Sequence, residues 1–190
     1  MLWNRSLVMY DKETGSLWSH ILGECMQGEL KGTQLEQVVS VMTDWKTWRR
    51  DYPGTTVVWI SFTSKDYRRN FYQWPERFVL GIADAGKAKA WSFDALMKAP
   101  ATNDEWQANA VLVTFDEPSM TARLFSRKLN DRVLTFRFVD GRLIDAGTKT
   151  TWNPVTGVAI NGRLAGEQLK PLPAIVSYKR TWKTFHPKSE

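Results

Sequence analysis

Two carboxylates and one imidazole are the residues whose type and spacing could do chemistry. Asp11 and Asp145 stand 134 positions apart, and each opens an Asp-x-x-Thr string ending at Thr14 and Thr148. Brought together, the two carboxylates could hold a cation or act as acid and base. Kept apart, each would cap its own turn, since such a carboxylate accepts hydrogen bonds from nearby backbone and hydroxyl groups. Turn capping asks for less and is the preferred expectation. His186, directly before Pro187, is the better functional candidate of the two histidines; His20 is the other. A two-histidine metal site would need help from a carboxylate such as Asp11 or Glu24, and no spacing shows one, so no metal is expected. No nucleophile elbow, phosphate-binding loop, zinc-protease motif or dinucleotide fingerprint appears, and no cofactor is indicated. Cys25 is the only cysteine, so no internal disulfide can form.

A second group of residues could bind rather than react. Arg68, Tyr72 and Trp74 lie in the polar, aromatic stretch 63–76, which reads as a loop and linker. Their rings and guanidinium could stack on a ligand, or could lie over a junction between halves. Trp18 and Trp152 are further ligand-binding candidates, although each is also suited to plug a core, where burial of such a ring contributes roughly 2–3 kcal/mol.

The elements that position these residues occur twice. Residues 11–53 align with 145–187 at a constant offset of 134 and without a gap. Identities fall at Asp11/Asp145, Thr14/Thr148, Trp18/Trp152, Gly23/Gly157, Gly28/Gly162, Leu30/Leu164, Gly32/Gly166, Gln34/Gln168, Leu35/Leu169, Thr47/Thr181, Trp48/Trp182 and Pro53/Pro187. The glycine spacing is too tight for a helix and predicts short strands joined by tight turns. Each copy then carries a short helix: Asp44 to Asp51 with Thr43 as N-cap, and its equivalent after Ser177, stopped by Pro53 and Pro187. Ala159 occupies the position equivalent to Cys25, which marks that cysteine as a small buried residue.

Between the copies, Thr55 to Phe62 reads as a strand. Asp84-Ala-Gly86-Lys87 reads as a hairpin turn between Phe78–Ile82 and Ala88–Trp91. Ser92 caps a helix from Phe93 to Lys98, and Ala101 to Gln107 reads as loop. Val111–Phe115, Thr121–Lys128 and the alternating Leu134, Phe136 and Phe138 read as three strands. Only ten residues precede Asp11, so the first half is expected to be reduced or N-terminally incomplete.

The expected fold is mainly β with a few short helices (α+β), in two related half-domains from an internal duplication. The first half spans 1–62, a connecting segment with hairpin and helix spans 63–107, and the second half spans 108–190, all packed as one domain. With 190 residues and 43% hydrophobic content, the chain can build its own core. Its net charge of +6 comes from scattered residues rather than a compact run, so a solvated basic surface is expected and nucleic acid is not a favoured partner. No apolar run approaches the ~18 residues needed to span a membrane, and no signal peptide is recognisable. Taken literally, the chain stays in the cytoplasm.

Several strings resemble the domain of unknown function 3179 family of bacterial proteins. They include Leu7-Val-Met-Tyr-Asp11, Thr14-Gly-Ser-Leu-Trp-Ser19, Gly23-Glu24, Leu30-Lys-Gly32-Thr-Gln-Leu35, Lys87-Ala-Lys-Ala-Trp91, Asn103-Asp104 and Phe185-His-Pro187. The resemblance covers almost the whole chain. It implies no settled activity, and it implies a periplasmic or otherwise extracytoplasmic setting for full-length members. Members usually carry an upstream segment, often with a cysteine motif, that has no counterpart here. The expected function is a non-enzymatic module that binds a small molecule or partner protein in an aromatic-rich groove between the repeats. The alternatives are a hydrolase-like or metal-assisted enzyme using Asp11, Asp145 and His186, and a basic nucleic-acid-binding protein.

Overall fold

A computed structural model of the chain describes residues 2–4, 6–58 and 72–190. In the first half, β1 (Leu2–Trp3), β2 (Ser6–Tyr10), β3 (Leu17–Ser19) and β4 (Glu24–Gln27) form one four-stranded sheet in chain order. Helix α1 (Trp45–Asp51) follows. The middle of the chain supplies β5 (Phe78–Asp84), β6 (Lys87–Ser92), α2 (Phe93–Lys98), β7 (Ala101–Trp106), β8 (Asn109–Asp116) and β9 (Thr121–Ser126). A small ribbon, β10 (Lys128–Leu129) and β11 (Arg132–Val133), leads into the second half. There, β12 (Phe136–Val139), β13 (Arg142–Asp145), β14 (Thr151–Trp152) and β15 (Ala159–Asn161) again pair in chain order. The chain continues through β16 (Ile175–Tyr178) into α3 (Lys179–Phe185). The fold is mainly β with short helices, as the residue pattern implies.

The duplication holds at the level of single hydrogen bonds. Met9 faces Trp18 and Trp18 faces Cys25, just as Leu143 faces Trp152 and Trp152 faces Ala159. The register shifts at the same place in both, between Leu17 and Trp18 and between Thr151 and Trp152. The bond from the Leu35 N–H to the Gly23 carbonyl (2.7 Å) recurs from Leu169 to Gly157 (2.9 Å). Helices α1 and α3 occupy equivalent positions and end at equivalent C-caps, Tyr52 and His186.

Behind each Asp-x-x-Thr turn lies a chain of hydroxyls. Thr148 Oγ1 is 2.6 Å from Asp145 Oδ2 and 2.7 Å from Thr150 Oγ1, and Thr150 Oγ1 accepts from the Leu164 N–H at 3.2 Å. Thr14, Asp11, Ser16 and Leu30 repeat the arrangement. Ser16 and Thr150 are fully buried, so these hydroxyls need internal partners. Gly28 and Gly162 close the arrangement. A Cβ on either would lie 2.6 Å from the Ser16 Cα or 2.8 Å from the Thr150 Cα, and both glycines have φ of +106°.

The middle strands form two three-stranded sheets, β16–β5–β6 and β7–β8–β9. The hairpin between β5 and β6 turns through Ala85 and Gly86, both at positive φ. Phe78, Leu80, Trp91, Phe93, Val113, Phe115 and Leu124 build one core between these sheets and α2. A second core joins Leu112 and Phe125 of the β7–β8–β9 sheet to Phe136, Leu143, Trp152 and Leu169 of the second half. Asn103 links the same two parts. Its side-chain amide donates to the Phe136 carbonyl (2.7 Å) and accepts the Phe136 N–H (2.8 Å), replacing a strand neighbour. The Arg127 guanidinium adds bonds to the carbonyls of Val111, Leu134 and Asp104. The first half joins through Thr121 Oγ1 to Thr43 Oγ1 (2.7 Å), Met42 packed on the first core, and Trp3 edge-on to Phe185.

Some local expectations are corrected. Asp44, not Thr43, caps α1, because its carboxylate accepts both the Thr47 N–H (2.9 Å) and hydroxyl (2.8 Å) while Thr43 bonds Thr121 instead. Tyr178 holds the N-cap position of α3, and Ser177 lies in β16. Ala101 to Trp106 is a strand rather than a loop, because pairing with β8 and the Asn103 bridge supply partners for polar residues. Thr55 to Val58 is not a strand despite its β-branched residues, and the remainder of that expected strand, through Phe62, lies outside the described residues. In the expected loop 63–76, residues 63–71 lie outside them as well, while Tyr72 and Gln73 are helical and Pro75–Arg77 form a 3-10 turn.

Two outcomes follow for urea unfolding. Gly28→Ala and Gly162→Ala each lower the unfolding free energy by about 3 kcal/mol, from positive φ plus overlap with backbone. Gly32→Ala, which meets no atom within 4 Å at φ of +87°, costs about 1 kcal/mol. Asn103→Ala strands both backbone groups of Phe136 and costs about 2 kcal/mol.

Candidate functional site

An open groove of about 1890 Å3 runs between the two copies. One wall comes from the first half, with Leu22, Glu24, Gln34, Leu35 and Gln37. The other is built by the β5–β6 hairpin, by β7 and its turn into β8, and by Lys170, Leu172, Pro173 and residues 185–190 of the second half. The two copies and the segment between them therefore converge on it.

Its floor is a network around Asp104. Lys89 Nζ lies 2.8 Å from Asp104 Oδ1 and 3.0 Å from the Glu105 carbonyl, and the Trp91 indole donates to Asp104 Oδ2 at 2.8 Å. Burial works against ionisation of this carboxyl, but the bonds from Lys89, Trp91 and the Glu105 amide outweigh it and hold Asp104 below the usual carboxylate range. Both partners are partly buried, which makes this ion pair a fixture between β6 and β7 rather than a loose surface contact. Glu190 extends the sheet here, donating its N–H to Ala88 and accepting from the Ala90 N–H.

His186 lies in the groove wall as the C-cap of α3. Its ring packs against Trp182 with centroids 4.2 Å apart, and its Nε2 is buried with no hydrogen-bond partner among the described residues. Burial pushes its pKa below 6.5, so the imidazole is neutral at pH 7. Trp182 itself is fixed over Gly81 of β5, where a Cβ would meet the indole at 2.4 Å.

Asp11 and Asp145 do not line this groove. Asp11 Oδ1 accepts the Glu13 N–H (2.9 Å), and the hydroxyl of Thr14 with that amide holds its pKa below the ordinary value. Asp145 is buried; burial opposes its ionisation, but Thr148, Gly147 and Thr135 outweigh it and lower its pKa. Each carboxylate thus bonds within or beside its own turn. Among the described residues no group of three histidine, cysteine or acidic side chains is placed to hold a metal.

Trp18 and Trp152 are buried in the cores of their halves. Trp74 carries the Arg77 guanidinium 4.3 Å above its ring, and Tyr72 is partly exposed. None of these four lines the groove. Arg68 lies outside the described residues. Cys25 is buried, with its thiol 3.4 Å from the Gln27 carbonyl. The groove residues that motif reading missed are Lys89, Asp104, Trp106 and Gln107. The only signal was a lysine, a tryptophan and an aspartate at β spacing, which becomes a site only when β6 and β7 lie together.

Fold and groove define a two-copy, mainly β protein with a cleft of mixed polar and apolar lining where the copies meet. The chain belongs to the family described as protein of unknown function (DUF3179), whose model matches it twice, at residues 1–77 and again at 72–190. No curated protein and no solved structure matches it. No helix among the described residues is long and apolar enough to cross a membrane.

His186 gives a pH signature. Its folded pKa is depressed, so between that value and 6.5 the unfolded chain binds more protons. The contribution to stability is complete above pH 6.5 and falls as the pH drops through the window. Urea unfolding from pH 7.5 to 5 is expected to show this decline in the wild type and a flatter profile for His186→Gln. Equal slopes would assign the decline to another group.

Proposed function

We propose that the chain is a non-enzymatic binding module that takes a segment of a partner protein in the groove between its two copies. The groove itself carries this reading. At about 1890 Å3 it exceeds the roughly 300–1,000 Å3 typical of small-molecule pockets, and it is open rather than enclosed, which suits an extended chain. Its lining also suits one. Lys87, Lys89, Lys170 and Lys188 line it together with Glu24, Asp84, Glu105 and Glu190, and Gln34, Gln37, Gln107 and Asn109 add side-chain amides. A mixed lining of this kind favours a ligand that hydrogen-bonds along its length over a uniform polyanion.

Thermal unfolding of the protein with mixed-charge peptides, and separately with neutral oligosaccharides, tests this. A peptide present at about 100 times its Kd is expected to add about 2.7 kcal/mol of stability. Lys87 and Lys188 are exposed groove residues, so the double variant Lys87→Ala/Lys188→Ala should fold normally and bind about tenfold more weakly. No stabilisation by any peptide, or equal binding by the variant, would refute the proposal.

A further inference from the structure

The internal repeat shows what is uncovered in the first half. In the second half, residues 170–172 run along the edge of β9. The Ser126 N–H donates to the Lys170 carbonyl and the Leu172 N–H to the Leu124 carbonyl, both at 2.9 Å, with Phe125 bridged to Pro171. Phe125 then lies over Gly157, where a Cβ would meet its ring at 2.6 Å, and joins Leu143, Leu169 and Trp152 in the core.

The equivalent residues of the first half have no such cover among the described residues. Gln37 and Val38 stand where Pro171 and Leu172 do, in no strand, and Val38 is 75% exposed. Among the described residues, no hydrogen bond is recorded for the Val38 N–H or the Glu36 carbonyl. Gly23, the counterpart of Gly157, meets only the Leu35 carbonyl, at 4.0 Å. Leu35 and Met9 are 44% and 40% exposed, whereas Leu169 and Leu143 are 0% and 1%. The first half thus offers an unpaired main-chain edge beside exposed apolar side chains, and Leu35 and Gln37 of this stretch line the groove wall.

We propose that this edge binds an extended strand from a partner polypeptide, which pairs with residues 36–38 and inserts an aromatic side chain over Gly23, Met9 and Leu35. The occupant is specified by its counterpart: β9 presents Leu124-Phe125-Ser126 to the second half in this way. Main-chain bonds along an open edge supply affinity, and the inserted aromatic side chain supplies selectivity. A second copy of the chain is a poorer occupant, because its own β9 already pairs with its own residues 170–172. The inference rests on the groove reading and names the ligand class.

The test titrates a labelled peptide copying Ser119–Lys128 against the full chain, followed by fluorescence anisotropy. Saturable binding is expected, weakened at least tenfold by Val38→Pro, which removes the donor at an exposed site, and similarly by Phe125→Ala in the peptide. Hydrogen exchange at the Val38 amide should slow in the complex. No binding, or binding equal for wild type and Val38→Pro, overturns the inference. Concentration-dependent dimers of the free chain that Val38→Pro abolishes would assign the edge to a second copy and overturn it too. If groove peptides lose affinity in Lys87→Ala/Lys188→Ala but not in Val38→Pro, the groove reading survives and the strand inference fails.

Discussion

Each half depends on a hydroxyl chain closed against a glycine. In the second half it runs from the Asp145 carboxylate through Thr148 and Thr150 to the Leu164 amide, with Gly162 pressed against Thr150. Thr150 is fully buried, so its hydroxyl either completes this chain or is stranded in the core at a cost of about 1–3 kcal/mol. The chain fixes where β13 leaves the sheet, where β14 enters it and how the following loop folds over Trp152. The same sequence of bonds runs from Asp11 to Leu30 in the first half. This explains why Asp11/Asp145, Thr14/Thr148, Trp18/Trp152 and Gly28/Gly162 are among the residues shared by both copies: the turn and its cover require them.

The two copies differ in what lies on top of them. The second is capped by the β7–β8–β9 sheet, which contributes Leu112 and Phe125 to its core and is tied to it by Asn103 and Arg127. The first has no such cap among the described residues, and Leu35 and Met9 remain open. The helices show the same asymmetry. Each helix tryptophan packs on its C-cap ring, Trp182 on His186 and Trp48 on Tyr52, but Trp182 is buried over Gly81 while Trp48 is only half-buried. A duplication of strand pairings and turn hydrogen bonds therefore yields one capped unit and, among the described residues, one uncapped unit, and both line the groove.

The charges follow the same division. The groove carries charges of both signs although the chain has a net charge of +6. Its most constrained charges, Lys89 and Asp104, neutralise each other and are anchored by the Trp91 indole. Arg127 bonds three backbone carbonyls, so it acts as a structural cation rather than as a free one.

The duplication, the mainly β character, the β5–β6 hairpin, α2 and the burial of Cys25 were legible in the sequence because each has a local cause. Tight turns need glycine at positive φ, a two-residue hairpin needs Gly86, and a repeat at constant offset preserves both. The turn-capping expectation for Asp11 and Asp145 was legible for the same reason, since every partner of Asp11 lies within three residues. The strand at Ala101–Trp106 was not, because its polar residues are satisfied by Phe136, Lys89 and Trp91, which are distant in sequence. Nor was the groove. Its walls come from widely separated stretches whose meeting depends on which sheet covers which half. Hydrogen-bonded turns are decided within a few residues and can be read from the chain; the covering of one apolar face by another is decided by burial across more than a hundred, and only the tertiary structure settles it.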